Sequence, residues 1–156
     1  MKPAFPLALF ILLASGCTGE PARFESDDWV RQPPGVVLQK IADARQAGDF
    51  QTLRDQWGRS QEPLGKLNSD ERQNARIAAM NLAVALLDDP SSSKDCLEFL
   101  LRMRDHPTPL VRENLALALG ESQSEDTQKL LVELASDQDE RVAKAAGESL
   151  AWRSRR

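Results

Sequence analysis

The chain has 156 residues, a length typical of one domain, and this excludes a catalytic protein of two domains. Apolar residues make up 41% and charged residues 28%, while Tyr is absent and Leu and Ala are frequent, so the composition favours an all-α fold and excludes disorder throughout. The formal net charge of −4 provides no basic surface for nucleic acid.

The first 16 residues have the pattern of an export signal. Met1 and Lys2 form a short positive start, and the apolar stretch over 3–14 is shorter than the ~20 residues that a membrane-spanning helix needs. The stretch ends in small residues that lead into Cys17, as at a cleavage site. Residues 1–16 are therefore predicted to be a cleaved signal peptide.

The residues before Cys17 resemble the lipobox of bacterial lipoproteins. Ala14 stands where that family most often has Leu, Val or Ile, and Leu13 lies one place earlier. The resemblance implies cleavage before Cys17, a diacylglycerol on its sulfur and acylation of the new N-terminus, and several acyl chains give durable anchoring. Because Thr18 rather than Asp follows, it also implies an outer-membrane location facing the periplasm. Plain secretion with an unmodified Cys17 is the alternative.

Residues 17–35 are predicted to be a flexible tether, followed by a helical-repeat domain over 36–156. The tether is polar, contains several prolines and shows no periodicity. Cleavage of the signal peptide would remove only Lys2 from the 20 basic residues, so 19 basic and 24 acidic side chains would leave a net charge of −5. An acidic chain gains nothing from an anionic membrane surface, so anchoring is expected to depend on the lipid.

From residue 36 the apolar side chains follow the period of helices. Gly48 and Asp49 separate a first helix over 36–47 from a second that begins at Phe50, which predicts a helical hairpin.

A long apolar helix is predicted next, because Asn68 and Glu71 have the spacing of a capping box and the apolar residues continue to Leu87. Four more helices are predicted over 94–104, from 109 to about 120, over 125–135 and from directly after Asp137 to about 153. Thr108 and Ser124 are the predicted N-terminal caps of the second and third of these, and Asp137 together with Glu140 caps the last.

When the sequence is shifted by 31 residues, apolar positions of one segment align with apolar positions of the next. The coinciding apolar pairs are Phe99 with Leu130, Leu100 with Leu131, Met103 with Leu134, Val111 with Val142, Leu115 with Ala146 and Leu119 with Leu150. Such a period indicates helix pairs that stack and share one core.

The repeated unit begins with the sequence DHPTPLVR over 105–112 and continues through apolar positions to Leu134. It resembles a HEAT repeat, in the short HEAT-like form named for phycobilisome lyases. Further copies extend the resemblance over 69–153, which implies a short right-handed α-solenoid of antiparallel helix pairs, with about seven helices. In the last copy Ala143 stands where the family has an Arg. Ankyrin and tetratricopeptide repeats are the alternatives.

The sequence contains no motif for catalysis, and no catalytic residue, metal or cofactor is predicted. His106 is the only histidine, in a turn without a second ligand nearby, so a zinc site is not expected. Cys96 lies in an apolar helical pattern and is expected in the core. The basic residues 153–156 are expected to form a solvated end.

A partner-binding stripe is predicted on the second helix of each pair. At 100° per residue, Val132 points about 150° away from the core face of its helix. Leu101 is its counterpart one repeat earlier, and Leu97 lies one turn before Leu101. In HEAT-like proteins the second helices line the concave side, so the resemblance implies a binding surface there. The predicted surface consists of Leu97, Leu101 and Val132, edged by Glu98, Arg102, Lys129 and Glu133. Burial of the apolar residues between helices is the alternative.

The last repeat is predicted to close the solenoid. Under the 31-residue shift, Arg141 replaces Leu110 and Glu148 replaces Leu117. The two leucines are expected to pack on the following repeat, and the two charged residues are expected to face solvent, because a terminal repeat needs a polar outer face.

These features predict a lipid-anchored protein of the cell envelope that acts as a noncatalytic scaffold or adaptor. Its expected partner is another envelope protein, and neither nucleic acid nor a small-molecule substrate is expected. The alternative is a small HEAT-like lyase-type enzyme, or a protein that handles a prosthetic group. The lack of a cysteine and histidine constellation favours the scaffold.

Overall fold

A computed structural model describes residues 33–61 and 67–156 of the chain. Over these residues all regular secondary structure is helical, as predicted. The seven helices are α1 (Pro34–Gln46), α2 (Phe50–Ser60), α3 (Ser69–Ala85), α4 (Ser93–Arg104), α5 (Pro109–Leu119), α6 (Glu125–Leu134) and α7 (Glu140–Arg153). The predicted signal peptide, Cys17 and the predicted tether up to residue 32 lie outside the described residues.

The helices form two layers. The first helices of the pairs, α1, α3, α5 and α7, stack on one another, and the most extensive contact between helices joins α5 to α7. The second helices, α2, α4 and α6, pack against the first helices, and α4 touches α6 only lightly. We call these the first-helix layer and the second-helix layer. Their succession is the α-solenoid that the 31-residue period predicts.

The α1–α2 hairpin extends this stack at its N-terminal end. α1 packs on α3 as α3 packs on α5, and it buries Val37 and Ile41 in the common core. Two ion pairs tie the hairpin to the α3–α4 turn: Arg45 to Asp88 at 3.0 Å and Arg54 to Asp89 at 2.9 Å. The hairpin is therefore a further pair of the solenoid, although its sequence predicts only helices.

The predicted capping box at the start of α3 is confirmed. The side chain of Asn68 accepts a hydrogen bond from the backbone of Glu71, and the Glu71 carboxylate accepts one from the backbone of Asn68, both at 2.9 Å. α3 contacts α1, α2, α4 and α5, and it buries Met80 and Leu82 completely. It is the central helix that its apolar sequence predicts.

Three other caps differ from the prediction. Thr108 and Ser124 stand at the N-terminal cap positions of α5 and α6, but neither side chain caps its helix with a hydrogen bond. The cap of α7 is Asp139, which accepts from the backbone of Arg141 at 3.1 Å. Asp137 lies two residues before this cap, where its carboxylate binds the guanidinium of Arg112 and accepts from the backbone of Asp139.

The helices α5 and α7 run parallel and approach closely at their C-terminal ends. A Cβ atom at Gly120 would lie 3.0 Å from the hydroxyl oxygen of Ser149, which is a tight contact, so a residue without a side chain suits this crossing. Arg153 is buried and donates to the carbonyls of Leu119 and Ser124. The expected solvated end is therefore wrong at Arg153, because the end of α5 and the following turn offer acceptors for its guanidinium.

Candidate interaction surfaces

The predicted partner-binding stripe lies on α4 and α6, and its apolar residues differ in exposure. The side chain of Val132 is 55% exposed. Leu97 and Leu101 are half-buried, because both pack against the core. The stripe is thus open to solvent at α6 and mostly covered at α4.

The four charged residues at the edges of the stripe are exposed. Glu133 accepts a hydrogen bond from Arg104 at 2.8 Å, which joins α6 to α4. Lys129 lies 3.3 Å from Glu125, and this carboxylate raises its pKa. Arg102 places its guanidinium 5.9 Å from the ring centre of Phe99, and Glu98 precedes it by four residues on α4. Exposed pairs of this kind are weak, so a partner can replace them.

The first-helix layer carries apolar residues for which the sequence predicts burial. Leu110 is 38% exposed and Leu117 is 52% exposed, so the prediction that they pack on the following repeat is wrong. The closest approach of α5 to α7 is where Gly120 faces Ser149, and Leu117, one turn earlier on α5, lies at the open edge of this contact.

The exposure of these leucines bears on the prediction that the last repeat closes the solenoid. Arg141 and Glu148 are exposed, as predicted. The equivalent leucines of α5 are exposed as well, so these two positions do not distinguish the terminal repeat from the one before it.

A groove lies between the C-terminal ends of α5 and α7. It encloses about 310 Å³ and is lined by Leu117, Gly120, Glu121, Glu148, Ser149 and Trp152. We call it the α5–α7 groove. Trp152 is 47% exposed, and the guanidinium of Arg156 lies 5.5 Å from its ring centre and 3.4 Å from the carboxylate of Glu121. The sequence does not predict this groove, because its shape depends on the way in which the two helices cross.

A larger groove of about 780 Å³ runs along α1 and α3. Its apolar lining includes Leu38, Ile41 and Val84, and Arg45 lies at its edge. Arg45 donates to the backbone carbonyl of Glu121, which connects this groove to the end of α5.

The inter-repeat turn that contains His106 has a structural role. The Nδ1 atom of His106 accepts a hydrogen bond from the backbone of Thr108 at 3.1 Å, and the carbonyl of His106 accepts one from Arg112 at 2.8 Å. Partial burial and the charges of Arg76 and Arg112 lower the pKa of His106. Within the described residues, no group of three His, Cys, Asp or Glu side chains is arranged to hold a metal ion.

The comparisons with known proteins agree with this architecture. The family described as HEAT repeats matches residues 61–151, which is more than half of the chain. The chain therefore belongs to the HEAT-repeat family, and α1 and α2 precede the matched region. No curated protein and no solved structure matches the chain.

The class of protein follows from fold and family together. The protein is an all-α helical-repeat protein, and HEAT-repeat domains are typically noncatalytic scaffolds for protein interactions. In the described part of the chain, none of the helices combines the length and the apolar character that crossing a membrane requires.

Proposed function

We propose that this protein is a lipid-anchored adaptor of the cell envelope, which binds another envelope protein through its HEAT-repeat domain and catalyses no reaction. The observation that carries the proposal is Val132, an exposed apolar residue on α6 with charged neighbours, in a fold that typically serves as a scaffold. The alternative, a lyase-type enzyme, has no specific observation in its favour.

The anchor in this proposal is the lipid on Cys17. The support is the sequence, in which a short apolar stretch ends in small residues directly before this cysteine. From Cys17 to Pro33 the chain has 17 residues, enough to span about 60 Å when extended. The repeat domain can therefore reach a partner well away from the outer membrane.

The anchor is tested by replacing Cys17. In Cys17→Ser the protein should leave the membrane fraction while its helical circular dichroism stays unchanged. Mass spectrometry of the N-terminus should show an acylated Cys17 in the unchanged protein. A second variant, Thr18→Asp, should retain the lipid and move the protein from the outer to the inner membrane. An unmodified Cys17 thiol, or cleavage at another bond, would refute the anchor.

The binding surface is tested by crosslinking and affinity capture from solubilised envelopes. Val132→Asp should abolish capture of the partner, because it places a charge in the apolar part of the surface. The matched control is Val36→Asp, which makes the same exchange at a residue of α1 that is 46% exposed and belongs to the other layer. Leu101 is unsuitable, since it packs against the core and an Asp there would also cost stability. Equal capture by Val132→Asp and the control would refute this surface.

A further inference from the structure

We propose that the groove along α1 and α3, here called the α1–α3 groove, holds the indole ring of Trp29 from the same chain. Trp29 lies outside the residues that the structure describes, and it precedes Pro33 by only four residues. The docking itself requires no lipid. Its consequence for the reach of the domain rests on the anchor proposed above.

The α1–α3 groove offers open apolar surface. Its volume is about 780 Å³, within the ~300–1,000 Å³ that is typical of pockets for small organic groups. Ile41, Val84 and Ala85 line it and are buried, so they form its base. On the α1 side Leu38 is half-buried and Ala42 is exposed. Part of the apolar lining is therefore free to contact another group.

Most polar groups of the lining already have partners within the chain. Their hydrogen bonds run from Gln39 to Asp43, from Arg45 to Asp88 and to the carbonyl of Glu121, from Asn81 to the carbonyl of Ile77, and from Arg156 to the carboxylate of Glu121. Charge therefore favours neither an acidic nor a basic occupant. An uncharged ring with a large apolar face and one polar edge, such as an indole, suits this lining.

The segment before α1 carries such a ring at a suitable distance. The groove begins at Gly35, in the first turn of α1, and extends past Ala42 to Gln46. This length of helix measures about 17 Å at ~1.5 Å per residue. The chain between Trp29 and Pro33 spans up to about 14 Å. The ring can therefore reach the middle of the groove.

The short connection favours Trp29 over a separate molecule as the occupant. Pro34 stands at the start of α1, a position that suits proline, and Pro33 precedes it in an extended conformation. The chain therefore leaves the axis of the helix directly before the groove. A group attached this closely has an effective concentration on the order of 1 mM, so it occupies the groove even when its affinity is weak.

Docking of Trp29 shortens the tether. From Cys17 to Trp29 the extended chain spans about 40 Å, compared with about 60 Å from Cys17 to Pro33. A ligand that displaced Trp29 from the groove would therefore extend the reach of the repeat domain from the membrane.

The first test measures the access of acrylamide to Trp29 by fluorescence quenching, in the full chain mixed with phosphatidylcholine vesicles. Trp57→Phe with Trp152→Phe leaves Trp29 as the only indole, and a Phe at 57 keeps an aromatic ring against Phe99. The quenching constant should be at least about twofold lower than that of the isolated peptide 24–31, because the groove is mostly occupied. A constant equal to that of the peptide would overturn the proposal.

A charge in the groove should release the ring. Ala42→Glu, made in the same background, should raise the quenching constant of Trp29, because the carboxylate resists burial under an indole. The matched control is Ala151→Glu, the same exchange at an exposed residue of α7 outside the groove, and it should leave the constant unchanged. Both variants should keep the helical circular dichroism. Equal quenching constants in the two variants would refute the groove as the place of docking.

Photocrosslinking identifies the occupant. A diazirine side chain in place of Gln39, which lines the groove and is exposed, should join the tryptic peptide 24–31 within one chain. A product of twice the chain mass would assign the groove to a second copy, and a product that carries lipid would assign it to the membrane. Either result would overturn the proposal.

The anchor and the docking can fail separately. Cys17→Ser removes the proposed anchor and should leave the crosslink between Gln39 and the peptide 24–31 in place. Loss of this crosslink in Cys17→Ser would show that the lipid, rather than the groove, positions the segment, and would contradict the docking.

Discussion

Arg112 of α5 and Asp137 of the turn before α7 form a buried ion pair through two hydrogen bonds, of 2.7 and 2.9 Å. Each side chain is only about a tenth exposed. Arg112 also donates to the carbonyl of His106, and Asp137 accepts from the backbone of Asp139. One pair of side chains therefore fixes two successive inter-repeat turns and sets the distance between neighbouring repeats.

Breaking this pair should destabilise the domain. Asp137→Asn is expected to lower the free energy of unfolding by about 3 kcal/mol, because the guanidinium of Arg112 would stay buried without an opposite charge. Urea denaturation followed by circular dichroism measures the change. As a control, Glu133→Gln breaks the exposed pair with Arg104 and should cost less than about 1 kcal/mol. Similar losses of unfolding free energy in the two variants would show that the buried ion pair stabilises the domain no more than the exposed one.

The domain should lose stability in acid. The hydroxyl of Ser91, together with Arg54 and Ser92, lowers the pKa of Asp89 to about 2, and the hydrogen bonds from Arg112 lower the pKa of Asp137. Both values lie below the ordinary 3.8, so the stabilisation is complete above that pH and is lost as the pH falls towards the folded-state pKa.

Urea titrations between about pH 5 and pH 2 should therefore show a falling free energy of unfolding. Asp89→Asn combined with Asp137→Asn should be less stable near neutral pH and should show a flatter dependence on pH. A double variant with the same acid dependence as the unchanged protein would assign the effect to other carboxylates.

Truncation of two adjacent residues of α6 should lower the free energy of unfolding by very different amounts. Leu131 is fully buried and Val132 is exposed. Leu131→Ala should cost about 2–5 kcal/mol through lost apolar contact and the cavity that remains. Val132→Ala should change the free energy of unfolding by less than about 0.5 kcal/mol. Thermal and urea denaturation measure both values, and a large cost at Val132 would mean that another surface covers it.

The thiol of Cys96 should be inert in the folded protein. The side chain is completely buried, and burial, followed by the charges of Asp95 and Asp89, raises its pKa to about 12. In Cys17→Ser it is the only thiol of the chain. A chromogenic disulfide reagent should react with it only after denaturant is added. Rapid reaction in the native state would show that α4 opens readily.

The sequence predicts those parts of the fold that depend on neighbours along the chain. Asn68 and Glu71 are three residues apart and form their capping box from local geometry, so their pattern alone predicts it. The buried state of Cys96 follows from its helical neighbours in the same way. The 31-residue period predicts the stacking because every repeat places its apolar residues alike.

The candidate sites are predicted less well, because they depend on which flank of a helix meets the next repeat. Leu117 has the sequence of a packing residue, but α7 crosses α5 at Gly120 and leaves it exposed. The sequence predicts Asp137 as the cap of α7, but its carboxylate binds the guanidinium of Arg112, 25 residues earlier in the chain. Periodicity specifies neither the crossing nor such a distant pair.

The buried guanidinium of Arg153 couples α7 to the end of α5 and to the turn before α6. It donates to the hydroxyl of Thr127 at 2.7 Å and to backbone carbonyls at the end of α5 and before α6, so α7 holds the preceding turn in place. In a repeat protein each repeat contacts only its neighbours, so two repeats joined by a strong interface unfold together as one cooperative unit. The C-terminal helices should therefore exchange their amide hydrogens together, and the α1–α2 hairpin at the other end should open first.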